Sequence, residues 1–213
     1  MKGIMFNNYH SYNDFYLILN KKTIESPSPK IEKVEIEGGD GAIDLSEAFG
    51  EIKYENRKLS FDFSTIIHPS QFLMLYSEIQ NLIHGQIMKL ILDDDPVFYY
   101  IGRVSIDKWK SDKNIGKITI DCDCEPYKYK IRETVISQTI NGIGKAVLTN
   151  LRKKIVPTIT SDGPCSMEFN GFTFNIIEPG SYEFPEFVLS PGNNVVRING
   201  NGKVIFKYRE GEL

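Results

Sequence analysis

The sequence is poor in the residues from which disulfide frameworks, metal sites and many catalytic centres are built. It contains three cysteines, three histidines and one tryptophan in 213 residues. An odd number of cysteines argues against a disulfide scaffold and favours synthesis in a reducing cytoplasm. No stretch approaches the ~20 apolar residues that a bilayer requires, and the N-terminus lacks the apolar core of a signal peptide. We therefore expect neither membrane insertion nor secretion.

Strong positive charge is also absent. The chain has 25 basic and 28 acidic residues, a net charge of −3, and no block of lysine or arginine. A protein that grips phosphate backbones needs such a block, because its affinity depends on neutralising phosphates. The composition therefore predicts no specific binding of nucleic acid.

No catalytic or cofactor motif is present, whether G-x-S-x-G, P-loop or G-x-G-x-x-G. Cys122 and Cys124 both point inward from one strand and are the only closely spaced cysteines, whereas zinc needs four ligands, so they predict buried apolar-like thiols. The run Asp93–Asp95 lacks the spacing of a calcium loop and is more typical of a turn. We expect no enzyme activity, no cofactor and no metal.

The strongest structural signal is a β-hairpin between residues 90 and 127. From Lys117 to Cys124, apolar and polar residues alternate without a break, as in a strand with one buried face. The preceding run Val97–Ile106 is rich in aromatic and β-branched residues, which suit a partner strand. The polar segment Lys110–Gly116 is predicted to form the turn between them.

One helix is predicted over residues 71–84. Ser70, after Pro69, is a candidate N-cap, and Gly85 is a natural residue just beyond the C-terminus. The apolar side of this helix should cover the inward face of the hairpin. A sheet closed by this helix would form an N-terminal domain over residues 1–133. The apolar positions that recur at helical spacing are Phe72, Leu75, Tyr76, Ile79, Leu82 and Ile83.

A glycine-rich segment interrupts the strands of this first half. Residues 30–37 alternate like a strand, and Gly38–Gly50 then breaks the pattern. This segment is too long for a tight hairpin, so we interpret it as an arm that leaves the sheet, with Ile43, Leu45 and Phe49 as apolar anchors. The alternative is a surface Ω-loop folded back on its own domain.

The pattern of apolar and polar residues changes after residue 133. Residues 134–213 show no helical period, but several short alternating segments separated by turn dipeptides predict a small antiparallel β-sandwich. The expected fold class is therefore mainly β, all-β with one helix. The turn candidates are Asn141–Gly142, Asn170–Gly171, Pro191–Gly192 and Asn199–Gly202.

Several ordered motifs in residues 1 to about 130 resemble the distal tail proteins of siphophages and prophages of Gram-positive bacteria. The resemblance is carried by Leu90-Ile-Leu-Asp-Asp-Asp-Pro96, Tyr99-Tyr-Ile-Gly-Arg103, Trp109-Lys-Ser-Asp-Lys113 and Ile120-Asp-Cys-Asp-Cys-Glu-Pro-Tyr127, with further pieces at Ser11-Tyr12, Pro27-Ser-Pro29, Gly38-Gly-Asp-Gly41, Asp44-Leu45 and Tyr54-Glu-Asn-Arg57.

The resemblance implies a structural role at the tip of a phage tail. Such proteins form a homohexameric ring in the virion that joins the tail tube to the baseplate or tail-fibre hub and lets DNA pass. Its expected partners are the tail tube protein, the tail-associated hub protein and the tape-measure protein, with assembly in the cytoplasm of the bacterial host. Whether the source is an active phage, a prophage or a tail-like bacteriocin stays open.

A cyclic ring uses heterologous contacts, in which a projecting arm of one subunit packs on a different surface of the next. We therefore predict a subunit interface in the glycine-rich arm. The residues assigned to it are Asp40, Gly41, Ile43, Leu45 and Phe49.

The family also implies a C-terminal domain similar to galectins and carbohydrate-binding modules. The galectin pattern of histidine, arginine and a stacking tryptophan does not map onto this half, because residues 134–213 contain neither histidine nor tryptophan. The alternative function is a carbohydrate-binding adhesion module that contacts the host cell wall.

Overall fold

The computed structural model describes residues 2–48, 50–65, 67–111 and 115–213. Contacts divide the chain into two compact units, residues 1–128 and residues 129–212. Strands dominate both units, and α1 (Phe72–Ile83) is the single α-helix among the described residues, so the predicted mainly β fold is confirmed. None of the described helical segments is long and apolar enough to cross a lipid bilayer. The assignment of residues 1–133 as a ring domain stays a prediction.

The first unit is built on an antiparallel sheet in which seven strands are neighbours in the order β2-β1-β7-β8-β9-β6-β3. Two further strands, β4 and β5, pair only with each other. The strands of this unit are β1 (Ile4–Phe6), β2 (Tyr9–His10), β3 (Leu17–Ile24), β4 (Lys33–Glu35), β5 (Ala42–Asp44), β6 (Arg57–Thr65), β7 (Ile87–Leu92), β8 (Phe98–Ser111) and β9 (Gly116–Cys124).

The helix covers the inner face of this sheet, as its spacing predicts. Leu75, Ile79 and Ile83 are buried in one cluster with the inward residues of β9, including Ile120 and Cys122. Burying each such side chain contributes about 1.5–3 kcal/mol to folding. The period of the helix and the alternation of the hairpin therefore produce a single core.

The N-terminal cap of the helix differs from the prediction. Pro69–Gln71 forms a 3₁₀ turn, so Gln71 occupies the N-cap of α1 and makes no side-chain capping bond. The ring of His68 accepts a hydrogen bond from the Ser70 N–H instead (3.4 Å). Ser70 is not the N-cap because the tighter turn shifts the helix start by one residue. At the other end, Gly85 has a φ of +78° and follows the C-cap His84, as predicted.

The β8–β9 hairpin is longer than predicted. Its ladder continues outward from Val104 paired with Cys122 to Ser111 paired with Gly116, with one irregularity after Ile106. Strand pairing therefore includes residues at both ends of the predicted turn, because each added pair satisfies backbone groups that a loop would leave to water. Residues 112–114 lie outside the described part of the chain.

Gly102 is placed where two strands approach most closely. It lies in β8 opposite Cys124 of β9. A Cβ atom at this position would clash with the carbonyl oxygen of Asp123 and with the backbone and sulfur of Cys124. Glycine is required here by the lack of space, which explains its position inside a strand.

The second unit is organised by two very long strands. β11 and β16 pair along seventeen residues each, from Thr134 with Tyr208 to Asn150 with Gly192, and β12 and β13 add to the other edge of β16. Its strands are β10 (Lys128–Lys130, which begins in the first unit), β11 (Thr134–Asn150), β12 (Thr158–Ser161), β13 (Cys165–Phe169), β14 (Phe172–Ile176), β15 (Gly180–Tyr182), β16 (Gly192–Tyr208) and β17 (Gly211–Glu212).

Two of the predicted turns are wrong. Asn141–Gly142 and Asn199–Gly202 lie in the middle of β11 and β16, where they face each other across the ladder. Gly142 and Gly202 have φ values of +81° and +131°, a conformation that glycine adopts without strain, and both strands continue through these positions. By contrast, Asn170–Gly171 forms the predicted turn, with positive φ at both residues.

The core of the second unit contains a cluster of aromatic rings. Phe187 stacks on Phe169 (centroids 4.5 Å apart), and it also contacts Phe174 at 5.1 Å and Phe206 at 6.2 Å. These rings come from β13, β14, β16 and the segment before β16, so they join distant parts of the chain. Phe172, at the start of β14, is 56% exposed and lies outside this core.

Candidate assembly surface

The connection between β3 and β6 leaves the sheet as an arm, which we define as residues 25–56. Because β3 is the edge strand, the arm emerges at the border of the sheet. At the base of the arm, its outgoing and returning segments run antiparallel. Lys30 N–H donates to Lys53 O (2.7 Å), and Glu55 N–H donates to Ser28 O (2.8 Å). The backbone of the arm is therefore organised as a two-stranded ribbon.

The outer part of the arm, residues 31–48, is called here the arm tip. In it β4 pairs with β5, with Val34 opposite Ile43 and Lys33 opposite Asp44. Side chains alternate between the two faces of a ribbon, so the faces differ sharply in polarity. Lys33, Glu35 and Asp44 share one face. The opposite, apolar face carries Val34, Ile36, Ile43 and Leu45.

The apolar face of the arm tip is only partly covered by the described residues of the chain. The exposed fraction is 47% for Val34, 52% for Ile36, 49% for Ile43 and 36% for Leu45. No described residue of the arm tip is buried. An isolated two-stranded ribbon is marginally stable in water, so a partner surface over this face would stabilise it. The geometry is that of an interaction element.

A local hydrogen-bond network shapes the return strand. Ser46 N–H donates to Asp44 Oδ1 (2.9 Å), and Glu32 N–H donates to Ser46 Oγ (2.8 Å). The hydrogen bonds from Ser46 lower the pKa of Asp44 from its ordinary value. Leu45 N–H also donates to Glu32 O (2.8 Å). These bonds hold Leu45 in register on the apolar face.

The five predicted interface residues fall on this element as far as the structure describes them. Asp40 and Gly41 lie in the turn of the arm tip, and Ile43 and Leu45 lie on its apolar face. Phe49 lies outside the described residues. Their role in a subunit interface stays a prediction.

Sequence reasoning missed Val34 and Ile36 as part of the arm. It placed residues 30–37 in a strand before the arm, whereas only Lys33–Glu35 forms a strand, and that strand pairs with Ala42–Asp44. The available signal was the short glycine-rich turn between two alternating segments, which is typical of a hairpin.

The three carboxylates of the acidic run Asp93–Asp95 have different partners. Asp93 Oδ2 accepts from Gly3 N–H (2.7 Å) and lies 3.1 Å from His10 Nε2. Asp94 pairs with Lys22, whose hydrogen bond lowers the pKa of Asp94. Asp95 pairs with Lys128 at 2.7 Å. The carboxylates therefore connect strands of the first unit, and no metal-ligand cluster occurs among the residues described.

The paired cysteines are buried thiols, as predicted. Cys122 and Cys124 have no exposed surface and form no disulfide. Burial raises the pKa of Cys124 to about 12, and burial raises the pKa of Cys122 well above its ordinary value. Both sulfurs are therefore protonated at neutral pH and act as apolar core groups.

The second unit carries a shallow groove of about 470 Å³ beside the β13–β14 turn. Glu168 and Arg197 lie opposite each other on β13 and β16, and the exposed ring of Phe172 lies at the same groove. An exposed ring with a carboxylate and a guanidinium offers a flat surface and directional hydrogen-bonding groups. These side chains form a candidate ligand site of this unit.

No protein-family model and no curated protein sequence matches the chain. Among solved structures, the chain matches the crystal structure of SPP1 Dit (gp 19.1), described as a paradigm of the hub adsorption apparatus in phages that infect Gram-positive bacteria. The match covers 100% of both chains with a TM-score of 0.73 and 17% sequence identity. A de novo designed double-stranded β-helix matches 38% of this chain and 99% of its own length at 18% identity, and its TM-score of 0.26 is too low to indicate a shared fold.

The match to SPP1 Dit confirms the resemblance to distal tail proteins at the level of the fold. It extends over both units, including residues 134–213, where no sequence motif carried the resemblance.

Proposed function

We propose that this protein is a structural component of a phage tail tip, in which six copies form a ring that joins the tail tube to the baseplate or tail-fibre hub. The proposal is supported by the fold shared over the full chain with a protein described as part of a hub adsorption apparatus. The observation on this chain that carries it is the arm tip, whose apolar face is only partly covered by the described residues.

The arm supplies the kind of contact that a ring requires. It projects from the edge strand of the sheet, and its apolar face differs in shape and chemistry from the sheet around it. Packing such an element on a different surface of a neighbour makes a heterologous contact, which closes into a ring when the rotation permits. In this proposal the apolar face of the arm tip covers part of the next subunit.

The charge of the chain is compatible with a passage for DNA. The net charge is −3, and a strongly basic lumen would retain the phosphates that have to pass. The proposed ring therefore lets DNA pass without binding it, and it has no catalytic role.

The decisive experiment is the mass of the purified full-length protein in solution, followed by negative-stain imaging. We expect particles of six times the 24.3 kDa subunit mass and ring-shaped projections. Two results together would refute the proposal: the purified protein stays monomeric at all accessible concentrations, and phage tails assemble normally when the protein is missing.

The second candidate function is that of a carbohydrate-binding adhesion module formed by residues 134–213, and the groove beside Phe172 is the observation that favours it. A sugar could stack on this ring and bond to Glu168 and Arg197. Glycan-array binding by the full-length protein that Phe172→Ala abolishes would support this function. Equal array signals for both proteins would contradict it.

A further inference from the structure

The first unit contains a lysine-lined groove on the outer face of its sheet. This groove, of about 570 Å³, crosses strands β3, β6, β9 and β8. We call it the lysine groove. Its cationic lining consists of Lys21, Lys108, Lys110 and Lys117.

Three of the four lysines that line the groove have no acidic partner at ion-pair distance among the described residues, and the fourth, Lys108, pairs with Asp107 at 3.2 Å. Lys110 and Lys117 lie directly opposite each other on β8 and β9, an arrangement that is destabilising for like charges. Among the described residues that line the groove, Asp62 is the single acid; it lies opposite Lys21 and accepts a hydrogen bond from Thr119 Oγ1 (2.8 Å). Within the described ranges, Lys21, Lys110 and Lys117 form no ion pair, so an acidic partner would relieve the repulsion.

The chain itself contains a surface of the opposite charge. The arm tip has six acidic residues against one lysine, and most of it is exposed. Glu35 lies on the charged face of the ribbon, and Glu37 and Asp40 lie in its turn. The acidic residues are Glu32, Glu35, Glu37, Asp40, Asp44 and Glu47.

These two surfaces lie at opposite ends of the same strands. The arm leaves the sheet next to Arg57, at one end of β6, whereas Ser64 at the other end of β6 lines the lysine groove opposite Lys117. Seven residues of β-strand separate these positions by roughly 23 Å. A donor surface at one end and an acceptor surface at the other form a head-to-tail pair, not a self-complementary patch.

We propose that the acidic arm tip of one copy docks into the lysine groove of the next copy. This inference rests on the proposed ring and names the acceptor surface of its subunit contact. The arm tip enters the groove end-on, so Glu37 and Asp40 in its turn neutralise the opposed lysines while its apolar face packs on the surface beside the groove. A groove covered by acidic side chains also presents no free lysines to passing DNA.

The test reverses the charges on both sides of the contact. In K110E/K117E the opposed pair stays like-charged, so we expect the monomer to fold as before, checked by circular dichroism and urea unfolding. We expect the dissociation constant of subunit association to rise roughly tenfold or more. The matched control, K145E/K203E, makes the same charge change at exposed lysines of β11 and β16 and should assemble like the wild type.

The arm is tested as the occupant by a compensating reversal, E35K/E37K. Alone it should weaken assembly, and combined with K110E/K117E it should restore assembly, because opposite charges again meet in every contact. Restoration of hexamers in the combined variant would establish the contact.

The remaining outcomes separate this inference from the ring itself. A wild-type monomer would refute the ring and this contact together. Hexamers of K110E/K117E as stable as those of K145E/K203E would refute the contact and leave the ring intact. Loss of assembly that E35K/E37K does not restore would show that another surface occupies the groove, and a gel shift of DNA lost only in K110E/K117E would identify the occupant as nucleic acid.

Discussion

The apolar face of the arm tip makes a quantitative prediction about assembly. The double substitution I43S/L45S removes two of its four apolar side chains, each of them between about a third and a half exposed in the single chain. Complete burial of such a side chain is worth about 1.5–3 kcal/mol, so covering the exposed part gains about 1 kcal/mol. Each arm contact should therefore lose about 2 kcal/mol, which corresponds to roughly a thirtyfold higher dissociation constant.

The same substitutions should leave the isolated subunit almost unchanged. Exposed side chains away from the core usually alter the free energy of unfolding by no more than about 0.5 kcal/mol. The matched control is I143S/I177S, which also replaces two aliphatic residues by serine. These two residues lie in the second unit and are 85% and 80% exposed. Any general effect of lower surface hydrophobicity should appear in both variants.

The assay is a dilution series followed by mass photometry, with urea unfolding of each variant as a check on folding. We expect hexamers of I43S/L45S to dissociate at a concentration at which the wild type and I143S/I177S remain assembled. If I43S/L45S dissociates at the same concentration as I143S/I177S, the apolar face is not buried in the contact and the reasoning is wrong.

Two further predictions concern the first unit as a folded domain. Gly102→Ala should lower the free energy of unfolding by about 1–3 kcal/mol in urea titrations, because the strands must separate to admit a methyl group, and an unchanged midpoint would contradict the close packing. The hydrogen bond from Lys22 lowers the pKa of Asp94, so its stabilising effect is present at neutral pH and is lost as the pH falls through that lowered pKa. Thermal unfolding at pH 7 and pH 3 should therefore show a smaller difference between the two pH values for Asp94→Asn than for the wild type, and equal differences would exclude this role.

Local patterns were sufficient for the elements of the core. The alternation from Lys117 to Cys124 and the helical spacing of Leu75, Ile79 and Ile83 each describe which side of an element is buried, and the structure buries those sides. The helix cap was wrong at Ser70, because a 3₁₀ turn and a capping residue have similar sequence signals at a helix start.

Turn dipeptides were misleading where glycine lies inside a strand and does not end it. Asn141–Gly142 resembles a hairpin turn, but its partner is Gly200 on a strand almost sixty residues later. Glycine permits a positive φ in either setting, so the dipeptide alone does not distinguish a turn from a continuous strand. Which of the two structures forms depends on the strand that pairs with the dipeptide, and that strand is distant in sequence.

The sequence by itself determined the mainly β class, the helix, the buried cysteines and the absence of a recognisable catalytic motif, because each depends on residue type and on spacing within a few positions. The tertiary structure decided that residues 33–35 belong to the arm, that its apolar face is only partly covered, and that Lys21, Lys110 and Lys117 meet in one groove. These features depend on which strands pair and on where the sheet ends. Strand order and register are set by the burial of the whole core, and no local stretch of sequence contains that information.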